Sequence, residues 1–196
     1  MGNQHSIDDG DDDQNYHFRH NNRNTVKCDK NSRNAICFLH NLQNIRGKIL
    51  FHQCSEYDPV HVLFDLEGIP GKKHAIHIHE YADITEGCKS LGAHFNPYDD
   101  THGSIYYKDQ PRHAGDLINN ILFDQNGKFF YQYDDDMISL MPTNMGCITG
   151  RSVVIHESPD DLGRGIGKSR KESLITGNAG NRINYGIIGI AQLKHF

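Results

Sequence analysis

From residue 34 onward, short apolar runs alternate with polar breaks. Runs rich in Ile, Val, Phe, Leu and Tyr fall at 35–39, 46–53, 60–66, 74–80, 117–123, 128–133, 151–156 and 185–191, with Gly, Pro, Asn and Asp between them. Each run has the length of a strand, and no long stretch carries a convincing 3.6-residue period. Many short strands with turn signals between them predict an all-β sandwich or barrel. Two polar gaps, 81–116 and 157–184, are much longer than the others. Structureless loops of that length in a compact domain are usually functional. The pattern therefore predicts a small β scaffold carrying two long functional loops.

Residues 1–33 read differently. Asp8, Asp9, Asp11, Asp12 and Asp13 are followed by a mixture of Asn, His and Arg, with few apolar residues. Such a segment buries too little surface to offset its ordering entropy. The expected organisation is a disordered N-terminal tail over 1–33 and one β domain over 34–196. The formal net charge of −5 gives no general attraction to nucleic acid, and none is expected as a partner. No apolar run is long enough for a transmembrane span, and the first residues lack a secretory apolar core. A cytoplasmic or otherwise intracellular location is the default expectation. Met1-Gly2-Asn3-Gln4-His5-Ser6 fits the N-myristoylation pattern, which would give only weak, reversible membrane association through Gly2.

Histidine changes the picture, because the chain has 14 of them. In His74-Ala75-Ile76-His77-Ile78-His79 the period of two puts Ile76 and Ile78 on one face and His77 and His79 on the other. Imidazoles at i and i+2 on a strand can reach one metal ion; a polar wet face explains the pair as well. His74 falls on the apolar side by parity, at the strand entry, where water can solvate it. His94, His102, His113 and Asp116 all lie in the first polar gap, and three imidazoles with one carboxylate can close a tetrahedral zinc shell. His156 ends the run 151–156. These groups outnumber the ligands of one zinc, which implies two ions, or one ion and spare histidines. All-imidazole ligation suits copper, and imidazole with carboxylate suits zinc. The residues alone do not say which histidine serves which ion.

Longer segments carry a resemblance. HAIHIHEYADITEGC at 74–88, LGAHFNP at 91–97, RHAGDL at 112–117, GRSVVIHESPDDLGRG at 150–165 and TGNAGNRINYGIIGIAQ at 176–192 together resemble the eukaryote-type copper/zinc superoxide dismutases. The resemblance implies an eight-stranded Greek-key β-barrel, an immunoglobulin-like sandwich, paired into a homodimer. It implies copper on His77, His79, His94 and His156, and zinc on His94, His102, His113 and Asp116, with His94 shared. It implies that Asp160 links His77 to His102, and that Arg182 attracts and positions the substrate. The implied activity is disproportionation of superoxide to dioxygen and hydrogen peroxide by Cu(II)/Cu(I) cycling, with His94 relaying a proton. The rival reading, a non-catalytic copper-binding or chaperone-like protein on the same barrel, would tolerate loss of a ligand or of the arginine. None is lost here.

The sequence departs from the family in two places. Cys88 matches the loop cysteine of the family's intrasubunit disulfide, but Tyr185 holds the partner position, and Cys37 and Cys147 match cysteines that are normally free. The expectation is therefore a chain with no intrasubunit disulfide, folded in the presence of thiol reductant, for which a dedicated copper chaperone is dispensable. In the second loop Glu172 matches an acid that helps guide the anion, while Ile175 replaces the accompanying lysine. Lys168, Arg170 and Lys171 are either substitutes for that charge or ordinary solvated residues.

Overall fold

The computed structural model describes residues 17–19, 25–28 and 32–192. Most of the expected tail, including Gly2 and its acylation pattern, lies outside the described residues. Within it, β1 (His17–Arg19) and β2 (Thr25–Lys27) pair antiparallel.

The barrel is built from eight strands: β3 (Arg33–Leu42), β4 (Ile45–Gln53), β5 (Val60–Glu67), β6 (Lys73–His79), β7 (Asn120–Leu122), β8 (Lys128–Asp135), β9 (Ser152–His156) and β10 (Arg182–Ile190). Every pairing is antiparallel, in the order β7-β6-β9-β10-β3-β4-β5-β8. Hairpins join β3, β4 and β5 to their neighbours. The chain then leaves β5 for the far side of the sheet, where β6 pairs with β7 and β9, giving the Greek-key path. This is the predicted eight-stranded all-β barrel-like sandwich. Alternate residues fill it: Cys37, Ile49, Phe51, Val62, Phe64, Ile76, Ile78, Val153, Ile155 and Ile188 form one buried core. Burying each large apolar side chain contributes about 1.5–3 kcal/mol.

Between strands, residues 81–116 form the first long loop, with 3₁₀ turns at Gly87–Leu91 and Ala114–Asp116. The second, 157–181, contains a short helix, α1 (Arg170–Thr176), which the sequence pattern did not predict. Two turns are too few to show a helical period. Among the described residues, no helix is long and apolar enough to cross a membrane.

The cysteines require a correction. Cys88 is indeed a free thiol, as are Cys37 and Cys147, and Tyr185 packs tilted against His40 with ring centroids 4.6 Å apart. But the chain does carry an intrasubunit disulfide, between Cys28 and Cys54. The reason lies in strand register. Arg33 pairs with Gln53 and Asn34 with His52, so the chain entering β3 runs back alongside the chain leaving β4. Cysteine connectivity follows from such register and cannot be read from spacing. The two cysteines are 26 residues apart, which places the entropic contribution at about 3.5 kcal/mol at most. Reduction releases only the segment that precedes the barrel, so we expect a smaller loss of about 2 kcal/mol, a melting shift of about 4–8 °C for a domain of this size. Calorimetry of the metal-loaded protein with and without a phosphine reductant checks this; identical melting curves would contradict it.

Candidate metal centre

Strand β6 supplies the first two ligand-type side chains. Ile76 and Ile78 face the core, and His77 and His79 face the opposite side, as the period of two requires. That side is not wet: both histidines are buried, because the two long loops close over it. His156 ends β9 beside them, and the loop strand around His94 bridges to His79. His77, His79, His94 and His156 thus present one ring nitrogen each within 4.8 Å of the others; His94, His102, His113 and Asp116 form a second such group. His94 belongs to both. His74 belongs to neither. It is buried rather than solvated, donates from Nδ1 to the His156 carbonyl at 2.9 Å, and packs on Phe123.

In the all-histidine group, each imidazole is anchored by one nitrogen and offers the other. His79 Nδ1 donates to the Gly92 carbonyl at 3.0 Å, and His156 Nδ1 donates to the Gly180 carbonyl at 3.2 Å. Their Nε2 atoms then face each other at 3.2 Å. His77 Nε2 donates to Asp160 Oδ2 at 2.6 Å, which leaves Nδ1 buried with no hydrogen-bond partner. His94 Nε2 is likewise buried and unpartnered. Such orphaned nitrogens are costly unless a cation satisfies them. Burial lowers the pKa of His77, His79 and His94, and that of His156 to about 4. The neutral imidazoles that a metal requires are the favoured forms.

The second group surrounds one carboxylate oxygen. Asp116 Oδ1 lies 3.2 Å from His94 Nδ1, 2.9 Å from His102 Nδ1 and 3.2 Å from His113 Nδ1. His113 Nδ1 is not aligned for a hydrogen bond there. These separations match the edges, about 3.3 Å, of a tetrahedron with bonds of about 2.05 Å. Asp116 Oδ2 is held by the Gly103 and His113 amides at 3.0 and 2.8 Å. Burial alone would raise the Asp116 pKa, but His102, His113 and His94 outweigh it and hold the carboxyl well below its usual range. His102 is pushed up to about 10, because Asp116 and Asp160 outweigh its burial. Two buried carboxylates therefore call for positive charge at this point, and a divalent cation supplies it. The donor sets fit copper in the first group and zinc in the second.

Asp160 ties the groups together. Its carboxylate accepts from His77 Nε2 at 2.6 Å, His102 Nε2 at 3.0 Å, Asn119 Nδ2 at 3.1 Å and the Leu162 amide at 2.6 Å. Asn120 brackets its backbone, accepting from the Asp160 amide and donating to its carbonyl. Gly177 has φ +65°, and a Cβ there would sit 2.4 Å from Asp160 Oδ1, so only glycine closes the loop at that point. Sequence reasoning found Asp160 through the resemblance but missed Asn119 and Asn120; asparagines where a turn enters a strand carry no pattern of their own.

Arg182 reaches the site through a β-bulge. The register of β10 on β9 shifts between Arg182 and Asn184, so Arg182 pairs with His156 while Asn184 pairs with Ile155. Paired residues share a sheet face, so Arg182 shares the face of His156. Its guanidinium donates to the carbonyls of Cys88 and Gly92, which ties the first loop to the barrel where the family disulfide is missing. A second anchor is the buried pair of Arg112 and Asp135 at 2.7 Å, next to His113. Arg182 lines a cleft of about 410 Å³ with His79, Ala93, His94, His156 and Thr176. Glu172 and Ile175 also line it; Lys168, Arg170 and Lys171 do not. Arg170 instead donates to the Gly163 carbonyl.

Residues 45–188 match the family model described as copper/zinc superoxide dismutase. Among curated proteins, the chain is 43% identical over 159 residues to the superoxide dismutase [Cu-Zn] of Onchocerca volvulus, covering 81% of this chain and 97% of that protein. It is 42% identical over 160 residues to the superoxide dismutase [Cu-Zn] of Saccharomyces cerevisiae, covering 81% and 98%, and 41% identical over 158 residues to the extracellular superoxide dismutase [Cu-Zn] of Brugia pahangi, covering 80% and 76%. Among solved structures, the crystal structure of the clock protein EA4 superposes with a TM-score of 0.72 at 38% identity, covering 85% of this chain and all of that one. With two ligand groups joined by one imidazole and this likeness along four-fifths of its length, the chain belongs to the copper/zinc superoxide dismutase family and is an enzyme that disproportionates superoxide with copper and zinc as its cofactors.

Proposed function

We propose the following division of labour among its residues. Copper is held by His77 Nδ1 and by the Nε2 atoms of His79, His94 and His156. Zinc is held by the Nδ1 atoms of His94, His102 and His113 and by Asp116. The observation that carries the reading is the two-sided environment of one ring: His94 Nδ1 lies 3.2 Å from Asp116 Oδ1, while its buried Nε2 meets no protein partner. Bound copper supplies one-electron redox chemistry, and zinc supplies a positive charge without redox change. His94 Nε2 takes a proton in one half of the cycle and yields it to the product in the other. Asp160 fixes the rings of His77 and His102. Arg182, held by two carbonyls at the cleft, presents a fixed positive charge to a small anion.

Substituting Arg182→Gln tests the last role. The superoxide decay rate should fall about 10–100-fold, and its decline with rising ionic strength should flatten, because the steering charge is gone. A normal rate with an unchanged salt slope would remove Arg182 from the reaction.

We also infer a homodimer, supported by Ile190 at the end of β10. It is 82% exposed and borders a cleft with Cys147, Thr149 and Ala191. Ile190→Asp should convert a sedimenting dimer into monomer; a wild-type chain that sediments as a monomer would end this reading. The free Cys88 thiol supports copper loading without a disulfide between the first loop and the barrel, and so without a chaperone dedicated to forming it.

A further inference from the structure

A third convergence of ligand-type atoms shares no residue with the two groups above. Cys28 Sγ lies 3.2 Å from His52 Nε2, and Cys54 Sγ lies 3.3 Å from the same nitrogen. His52 Nδ1 donates to the Asn34 side-chain oxygen at 2.6 Å. That bond fixes the tautomer, so Nε2 carries a lone pair, and the lone pair is aimed at both sulfurs. His52 is 2% exposed and Cys54 is 6% exposed, while Cys28 is half-buried and gives access from solvent.

A disulfide has no use for a third donor. An imidazole lone pair facing two sulfurs, which carry lone pairs of their own, is electrostatically unfavourable unless a cation stands between them. An imidazole oriented by a hydrogen bond at its far nitrogen is the usual arrangement of a metal-ligating histidine. We propose that Cys28, Cys54 and His52 form, once the disulfide is reduced, a further zinc(II) site made of two thiolates and one imidazole with an open fourth position.

Zinc geometry fits with little movement. Bonds of about 2.3 Å to sulfur and about 2.05 Å to nitrogen place tetrahedral S···N edges near about 3.5 Å and the S···S edge near about 3.8 Å. The two S···N distances are already within a few tenths of an ångström of this. The sulfurs must separate, and Cys28, on the half-buried side, can rotate to let them. Thiolates with an imidazole select a soft or borderline cation and discriminate against magnesium and calcium.

The chemistry balances. A dithiol reductant gives two electrons and two protons to the disulfide: the Sγ–Sγ bond breaks, Cys28 and Cys54 become thiols, and the reductant becomes a disulfide. Zinc(II) then displaces the two thiol protons to solvent. The reverse step needs a two-electron oxidant, and the enzyme's own product serves. Hydrogen peroxide and two protons take two electrons from the two thiolates, the Sγ–Sγ bond re-forms, two waters leave, and zinc is released. The site is thus a zinc store that its enzyme's product empties.

The test uses copper- and zinc-loaded protein, reduced anaerobically with a phosphine, freed of it, and titrated with cobalt(II). Sulfur-to-cobalt charge-transfer absorption should rise to saturation at one ion per chain and vanish when zinc(II) is added. Protein that was never reduced should show none, and neither should Cys28→Ser, whose dismutase activity and circular dichroism should match the parent. His52→Gln should bind cobalt at least about tenfold more weakly. Adding hydrogen peroxide to the zinc-loaded form should release one zinc per chain and restore the disulfide. A disulfide that resists reduction in the folded protein, reduced protein without the absorption, or absorption that survives in Cys28→Ser would each overturn the proposal.

Discussion

Replacing His94 with alanine should lower superoxide decay at least about 100-fold and weaken the retention of both ions. Loss of a mere outer partner of a ligand already costs about 10–100-fold in affinity or activity, and His94 is a direct member of both groups. The variant also leaves Asp116, which is 0% exposed, facing one imidazole fewer. Metal analysis and decay kinetics on the same sample measure the effect. If activity stayed within a fewfold of the parent while both ions were retained, the shared-ring reading would be wrong. The comparison that separates this from general damage is His74→Gln. His74 is buried one turn of the β pleat away, in neither group, and its loss should affect stability more than rate.

Asp160→Asn should give the second large effect. The carboxylate accepts from rings in both groups, His77 and His102, so one substitution disturbs two sites. Each should lose about 10–100-fold in affinity, and the losses should appear together in a chelator competition. The amide preserves shape and can still accept from one ring, but its NH₂ cannot accept from the other. The fold should persist, since Asn120 holds the Asp160 backbone rather than its carboxylate. Copper retained at full strength while only zinc weakened would show that His77 does not depend on this bond.

Much of this was legible in the residues, and the parts that were not share a physical cause. The period of two in β6 fixed which face His77 and His79 occupy, because neighbouring side chains in a strand alternate whatever surrounds them. It did not reveal that this face is buried, since that depends on loops arriving from elsewhere. His94, His102, His113 and Asp116 stood out as a ligand set in a polar gap, yet their allocation to ions came from family resemblance alone. The asparagine partners of Asp160 were invisible: Asn119 sits in a turn at φ +57°, and nothing local marks it as a support. Glu172 reached the cleft while Lys168, Arg170 and Lys171 did not, because α1 and the turn before it direct those three to the outside. The Cys28–Cys54 bond lies outside the family resemblance, which points to Cys88; the antiparallel entry into β3 determines the pairing.

The extra residue in β10 makes position count more than identity at the cleft rim. In a regular strand of the same residues, 182 and 184 would project to the same side, and a guanidinium would point among the core aliphatics beside Asn184 and Ile188. Straightening the 182–184 segment with all its residues kept would therefore turn the charge inside out while leaving every named side chain in the sequence. Access of the anion to the ions thus hangs on an irregularity of the backbone as much as on the arginine itself.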